Sequence, residues 1–284
     1  MSGRKDLNTY PRPKWCGERD GIPIQELSTD PRLKTQVLRS LNPEPLGANP
    51  LETLVLRAAK ARERLLRFAA EVMPWHMESS LSAINIIAAL YGFWVPAGAR
   101  EGVERLVVIS KGHCSPALYA WLAEVGVLND AELRTFATPT SRLQAHPEAG
   151  RVPGVITSTG SLGQGLSIAN GLAMAAKLDG IRREVAVLLG DGELDEGQVW
   201  EAAATAATLR LDNVVAVVDR NGTQHTGRTE DVKVKEPLRA RWEAFGWRVI
   251  EAKQDAGEIA AALEEASRIV GGPVAVIVVS DDGA

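Results

Sequence analysis

Cysteine is nearly absent from these 284 residues: Cys16 and Cys114 stand far apart and without metal-ligand spacing. Neither a disulfide framework nor a zinc site is indicated, and the scarcity fits a reducing cytoplasm. An excess of basic residues is missing too. With 32 Lys and Arg against 36 Asp and Glu, the formal net charge is -4, which gives no general attraction for nucleic acid or an anionic membrane. Any anion must be held locally. The first residues, MSGRKDLNTYPRPKW, contain no apolar signal core, and no run approaches the roughly eighteen uninterrupted apolar residues that span a bilayer. Repeats and low-complexity tracts are also lacking. What is present, 45% hydrophobic and 24% charged residues, is the composition of a soluble, intracellular chain that buries one large core or two small ones.

Seven of the fifteen prolines fall within residues 1–50. This segment reads either as an extended arm that wraps a surface or as a loosely ordered tail. Residues 51–284 form the folded domain. Asn49 offers an N-cap, Pro50 the first helical position and Glu52 a capping box, and behind them Leu51, Leu54, Val55, Ala58, Leu65, Phe68 and Val72 recur at helical spacing. A second helix starts at Ser79 or Ser80 and carries Leu81, Ile84, Ile87, Leu90 and Tyr91. Leu106 to Ile109 reads as a buried strand, followed by a glycine turn into another helix at Ser110 to Tyr119. The remainder alternates: helix 164–178, strand 185–189, helix 198–210, strand 214–218, helix 238–245, strand 247–250, helix 256–270 and strand 274–279. Strands separated by helices predict right-handed crossovers and a doubly wound α/β fold, a parallel sheet with helices on both faces.

Ligands of such sheets collect at the carboxyl ends of the strands. There the chain places Gly190-Asp-Gly-Glu-Leu-Asp-Glu-Gly197 after one strand and Asp219-Arg-Asn-Gly-Thr223 after the next. If the two strands are neighbours, Asp191 and Asn221 share one edge, and their oxygens with a nearby backbone carbonyl make a hard site for Mg2+ or Ca2+. Gly190 and Gly192 would let backbone amides approach a phosphate. Either dipeptide, Asp-Gly or Asn-Gly, is by itself ordinary turn chemistry. A Walker loop is excluded, since Gln198 stands where lysine is required, and the dinucleotide glycine fingerprint is absent.

Gly190-Asp-Gly192, followed about thirty residues on by Asn221, resembles the thiamine diphosphate motif of transketolase-like enzymes, and GDGELDEGQVWEAAATAATLRLDNVVAVVDRNG resembles transketolase specifically. The similarity runs from about residue 51 to 279 and covers the amino-terminal, diphosphate-binding domain of that family. The resemblance implies thiamine diphosphate and a divalent metal held by Asp191, Asn221 and the carbonyl of Thr223, with Gly190, Gly192 and Asn221 against the diphosphate. Thr159-Gly-Ser-Leu-Gly-Gln-Gly165 resembles the glycine-rich loop that lays Gly160 and Leu162 against the cofactor rings. Glu196 matches a glutamate near the cofactor at the subunit interface, while Glu193 and Asp195 match no functional position and read as favourable charges at the start of helix 198–210.

The chain has four histidines. His113, in Ser-Lys-Gly-His, matches the family histidine that touches cofactor and substrate, and His146, in His-Pro-Glu148, matches one that contacts the donor's hydroxyls. His76 corresponds to a third, but Trp75 and Glu78 replace the usual flanking glycines, and Glu78 adds a charge that disfavours a phosphorylated substrate. His225 reads as a surface residue. These residues imply a transferase that moves a two-carbon ketol unit from a ketose phosphate to an aldose phosphate. The family's pyrimidine-binding domain has no counterpart here, so the resemblance implies the amino-terminal subunit of a split transketolase, inactive alone and joined to a carboxyl-terminal subunit in an α2β2 assembly. The acidic Asp281 and Asp282 stand where split transketolases carry a Lys-Gly-Lys-Gly turn. Related readings are a subunit of a deoxyxylulose-phosphate synthase-like or 2-oxo acid dehydrogenase alpha-like enzyme, and a cofactor-binding paralogue without catalysis.

Overall fold

The tertiary structure, a computed structural model, describes residues 49–72 and 76–280. The arm expected over residues 1–50, apart from its last two, and the acidic end at Asp281 and Asp282 lie outside the described residues. Pro50–Val72 (α1) starts where its capping residues put it, with the Glu52 N–H donating to Asn49 Oδ1 at 3.4 Å. Its buried stripe is Leu54, Ala58, Ala61, Leu65 and Phe68, the spacing of one helical face.

The second helix begins before the two serines. Met77–Ala88 (α2) continues through a π-helical turn at Ala89–Trp94 into Val95–Glu101 (α3). The continuous 25 residues have a mean hydropathy of 1.5, enough by length and composition to cross a membrane, which the count of uninterrupted apolar residues had missed because Ser82 and Asn85 interrupt the run. Yet 78% of that apolar window is buried inside the molecule. Ile84, Ile86, Ile87, Leu90 and Trp94 are all at 0% exposure, as in a helix enclosed by protein on every side.

Glu104–Ile109 (β1) leads into Ser115–Glu124 (α4) and the short Asp130–Leu133 (α5). Then come Gly165–Asp179 (α6), Arg183–Gly190 (β2), Gly197–Thr208 (α7) and Val214–Arg220 (β3). A small hairpin follows, Thr223–Gln224 (β4) with Gly227–Arg228 (β5), and after it Thr229–Val232 (α8), Leu238–Ala244 (α9), Arg248–Lys253 (β6), Ala256–Arg268 (α10) and Val274–Val279 (β7). The main sheet has the order β1-β2-β3-β7-β6, parallel throughout. The doubly wound architecture read from the alternation is therefore present.

Strand side chains alternate between two cores. Ala186, Leu188, Val215 and Val217 pack with α1, α2, α4 and α10, whereas Val185, Val187, Leu189, Val214, Ala216 and Val218 pack with α6, α7 and α9. A strand apolar on both faces must be covered on both, and this is the physical content of the doubly wound fold. β2 and β3 outrun the apolar segments that announced them, because backbone pairing continues through Gly190 with Asp219 and through Arg220 with Val279. Those polar extensions carry the candidate site.

Candidate functional site

β2 and β3 are neighbours, so Asp191 and Asn221 do emerge on one edge. They line an open cleft of about 360 Å³ together with His76, His113, Leu162, Gly190, Gly192 and Thr223. Glu78, Ser79, Lys111, Gln224 and His225 line the same cleft. Of the residues picked from sequence, His146, Gly160 and Glu196 are not in this lining. The first two stand behind His113, and Glu196 occupies the exposed N-cap position of α7.

Asp191 is buried, with 1% exposure. Its Oδ2 accepts from Arg220 Nη1 and the Gly222 N–H, both at 2.9 Å, and from Thr229 Oγ1 at 3.1 Å. Its Oδ1 accepts only from the Gly192 N–H, at 2.7 Å. The Gly190 N–H donates to Glu193 Oε2 at 3.1 Å. The two glycine amides expected to face a phosphate are thus already engaged by carboxylates of the same turn, and what the glycines provide is closeness. A Cβ on Gly192 would stand 2.8 Å from the Gln224 side chain. Asn221 is oriented from both ends: its Nδ2 donates to Ser82 Oγ at 2.9 Å, and its Oδ1 accepts from the Thr223 N–H at 3.0 Å.

The three histidines singled out in the sequence form a row. The His76 and His113 ring centroids are 4.5 Å apart and those of His113 and His146 4.7 Å apart, each pair at 88°. Gly160 makes room for this row: with φ 134° it lies where only glycine is at ease, and a Cβ there would stand 2.8 Å from the His146 ring. Burial, and then the neighbouring His76 and His146, bring the His113 pKa down to about 4. His76 is lowered as well, by burial and then by His146 and His225. His113 is therefore a neutral imidazole at neutral pH, able to accept at one nitrogen and donate at the other. Buried His146 Nε2 has no partner among the described residues. His76 departs from helical geometry, with φ 61° and ψ 40° at the start of α2, a left-handed conformation that costs a non-glycine residue roughly 1–2 kcal/mol. Where glycines flank the histidine in the family's motif, here the histidine itself takes the strained turn.

Several expectations change. His225, read as a surface residue, lines the cleft while remaining exposed. Glu193 is not a helix-start charge: it is 2% exposed and bonds to three chain segments. Asp195 pairs with buried Lys235 at 2.9 Å and accepts from Gln224 Nε2 at 3.3 Å, which pins the β4–β5 hairpin region to the turn after β2. Lys111 was passed over within Ser-Lys-Gly-His. Its Nζ lies 2.6 Å from Asp219 Oδ2 and 3.1 Å from Ser82 Oγ, and Ser82 donates to Asp219 at 2.7 Å. Burial opposes the Lys111 charge, but the Asp219 carboxylate outweighs it and raises the pKa. The available signal was the position of Lys111, Asp219 and Arg220 at the ends of apolar strands, where an unpaired charge could not be buried.

Known proteins share this geometry. The profile of the family described as transketolase, thiamine diphosphate binding domain, matches residues 100–280. One of the two chains of an apulose-4-phosphate transketolase from Phocaeicola vulgatus is 41% identical over 209 residues, which cover 72% of this chain and 74% of that one. A chain of a 6-deoxy-6-sulfo-D-fructose transketolase from a Clostridium species, likewise named as a subunit, is 40% identical over 202 residues, covering 70% and 74%. Among solved structures, a transketolase variant from Pichia stipitis superposes with a TM-score of 0.69 at 27% identity, covering 82% of this chain and 36% of that one. The chain thus spans about a third of the length of the solved transketolases it resembles.

Proposed function

This chain belongs to the transketolase family, and on that premise we propose that it is the amino-terminal, diphosphate-binding subunit of a split transketolase, transferring a two-carbon ketol unit between sugar phosphates. The observation that carries the reading is the convergence, at the carboxyl ends of β2 and β3, of Asp191 and Asn221 with the row of His76, His113 and His146.

The residues present fit the cofactor. One oxygen of Asp191 is saturated by Arg220, Gly222 and Thr229, while the other accepts from Gly192 alone. A carboxylate held in this way, beside an oriented Asn221 amide, supplies the hard oxygen ligands that Mg2+ or Ca2+ takes. The Thr223 carbonyl would be the third. Gly190 and Gly192 would stand against the diphosphate, and Leu162 and Gly160, next to the His row, against the rings. When bound, thiamine diphosphate supplies the electron sink for cleaving the carbon–carbon bond beside a ketose carbonyl.

The chain's own contribution is proton handling and orientation. Neutral His113 and His76 present donors and acceptors to sugar oxygens near neutral pH, and the unpartnered Nε2 of His146 is suited to a donor hydroxyl. Among the described residues no free lysine or arginine lines the cleft, since Lys111 is bound to Asp219. A phosphate on the substrate must then find its cations on another chain. We place that chain as a carboxyl-terminal subunit with the pyrimidine-binding domain, in an α2β2 assembly with Glu196 at the interface, in the cytoplasm; residues 51–284 form the diphosphate-binding unit and 1–50 its arm.

The test is to titrate thiamine diphosphate and Mg2+ into this chain with and without the partner subunit, and to assay xylulose 5-phosphate with ribose 5-phosphate. Tight binding and a seven-carbon ketose from the pair alone are expected. Turnover of pyruvate instead points to the synthase-like or dehydrogenase-like reading, and absence of cofactor binding by the pair overturns the enzyme reading.

A further inference from the structure

Glu193 is a carboxylate the proposed mechanism does not use, yet it has the most widely drawn set of contacts in the cleft wall. It is buried, and it faces inward because Gly192–Asp195 form a short 3-10 turn between β2 and α7. Its Oε1 accepts from Ser110 Oγ at 2.5 Å and from the Gly163 N–H at 2.9 Å, and its Oε2 accepts from the Gly190 N–H at 3.1 Å. Ser110 Oγ accepts in turn from the Gly165 N–H at 3.1 Å. One side chain therefore joins the end of β1, the glycine-rich loop and the end of β2.

Each joined segment carries part of the site next to the joint. Lys111 and His113 follow Ser110, Leu162 precedes Gly163, and Asp191 and Gly192 follow Gly190; all of these line the cleft. The joints are also tight. A Cβ on Gly165 would stand 2.3 Å from the Ser110 side chain, and one on Gly163, at φ 84°, 2.8 Å from Glu196. Only an ionised carboxylate brings enough acceptor sites, and no competing donor, to a hydroxyl and two peptide N–H groups at once. A glutamine would turn an NH2 group toward at least one of these donors. Glu193 also occupies the N–H groups of Gly163 and Gly190, so they are not left for an external anion.

Resting on the proposed function, we infer that Glu193 is a positioning residue: an internal anion that clamps the glycine-rich loop and the metal-turn strand to β1 and so sets the spacing of Leu162, His113 and Asp191 around thiamine diphosphate. It touches neither substrate nor cofactor. Its removal loosens the binding of cofactor and lowers kcat, and leaves the KM for the ketose near its original value.

The experiment uses the full chain co-purified with its partner subunit, with Glu193→Gln and the milder Ser110→Ala. Thiamine diphosphate affinity at fixed Mg2+ is read by tryptophan fluorescence, kcat and KM at saturating cofactor, and thermal unfolding without cofactor. Loss of hydrogen bonds to a charged group predicts a cofactor Kd raised roughly tenfold to a hundredfold for Glu193→Gln and by a few-fold for Ser110→Ala. The ketose KM should stay within about twofold. A Glu193→Gln complex that binds cofactor like the parent overturns the inference, and so does a loss confined to ketose KM. If Glu193→Gln fails to assemble, a Ser110→Ala complex with unchanged cofactor affinity overturns it equally. A parent complex that binds no cofactor instead defeats the transketolase reading itself.

Discussion

The carboxylate of Asp191 serves two neighbours at once. One oxygen holds Arg220, Gly222 and Thr229, and the other is left to the cleft. The side chains of Asp191 and Arg220 are 2% and 5% exposed, so the pair is structural before any cation arrives. Asp191→Asn should accordingly destabilise the chain in the presence of a chelator. Breaking a buried ion pair costs roughly 3–5 kcal/mol, but Arg220 keeps Glu230 at 2.8 Å and Glu236 at 3.2 Å, and about 2 kcal/mol is the expected loss. Urea unfolding in EDTA measures it; an unchanged midpoint would mean that Asp191 matters only to the metal. At this scale the motif residues were legible one by one, because Asp191, Asn221 and His113 follow apolar strands at recognisable spacing. Their partners were not. Lys111 and Asp219 are 108 positions apart, and Ser82 and Asp219 137, and nothing local in a chain encodes which distant charge will meet which.

At the scale of elements, the site depends on how closely α6 approaches the end of β1. Gly165 opens α6 and packs directly on Ser110. Gly165→Ala should therefore push helix and strand apart, with a destabilisation of roughly 1–3 kcal/mol for overpacking and weaker cofactor binding. Ser110→Gly in the same chain should recover part of the stability, since it removes the atoms the new methyl would strike, although it also removes a hydroxyl held by Glu193. Thermal unfolding of the single and double variants decides this, and additive losses would rule out the steric account. Helix and strand existence followed from periodicity, and β7 matches its predicted span, Val274–Val279. The ends were less legible. Backbone pairing carries β3 on through Asp219 and Arg220, and the serines near the start of α2 were passed over for His76, whose left-handed backbone starts the helix two residues earlier.

Over the whole molecule, the histidine row ties stability to pH. The His113 pKa is about 4 in the folded chain against roughly 6.5 when unfolded, so on acidification the unfolded state takes up a proton first. Stability present above pH 6.5 is then lost as the pH falls toward 4, and the loss levels off below that. His76, lowered for similar reasons, acts in the same direction. Melting temperatures of the cofactor-free chain between pH 7 and 4 should fall more steeply than those of His113→Asn; parallel curves would show that His113 titrates normally.

Composition, period and strand-end motifs were enough to determine the parallel sheet covered on both faces, the family and the edge on which Asp191 and Asn221 would stand. These depend on local backbone preference and on the exclusion of apolar side chains from water, and both are written along the chain. Only the tertiary structure decided what each charge at that edge would do. Glu193, Asp195 and Glu196 lie within four consecutive residues, yet one is a buried clamp, one an ion pair and one an exposed helix cap. The fate of a carboxylate is set by the solvent and donors around it, and those arrive from loops far away in sequence.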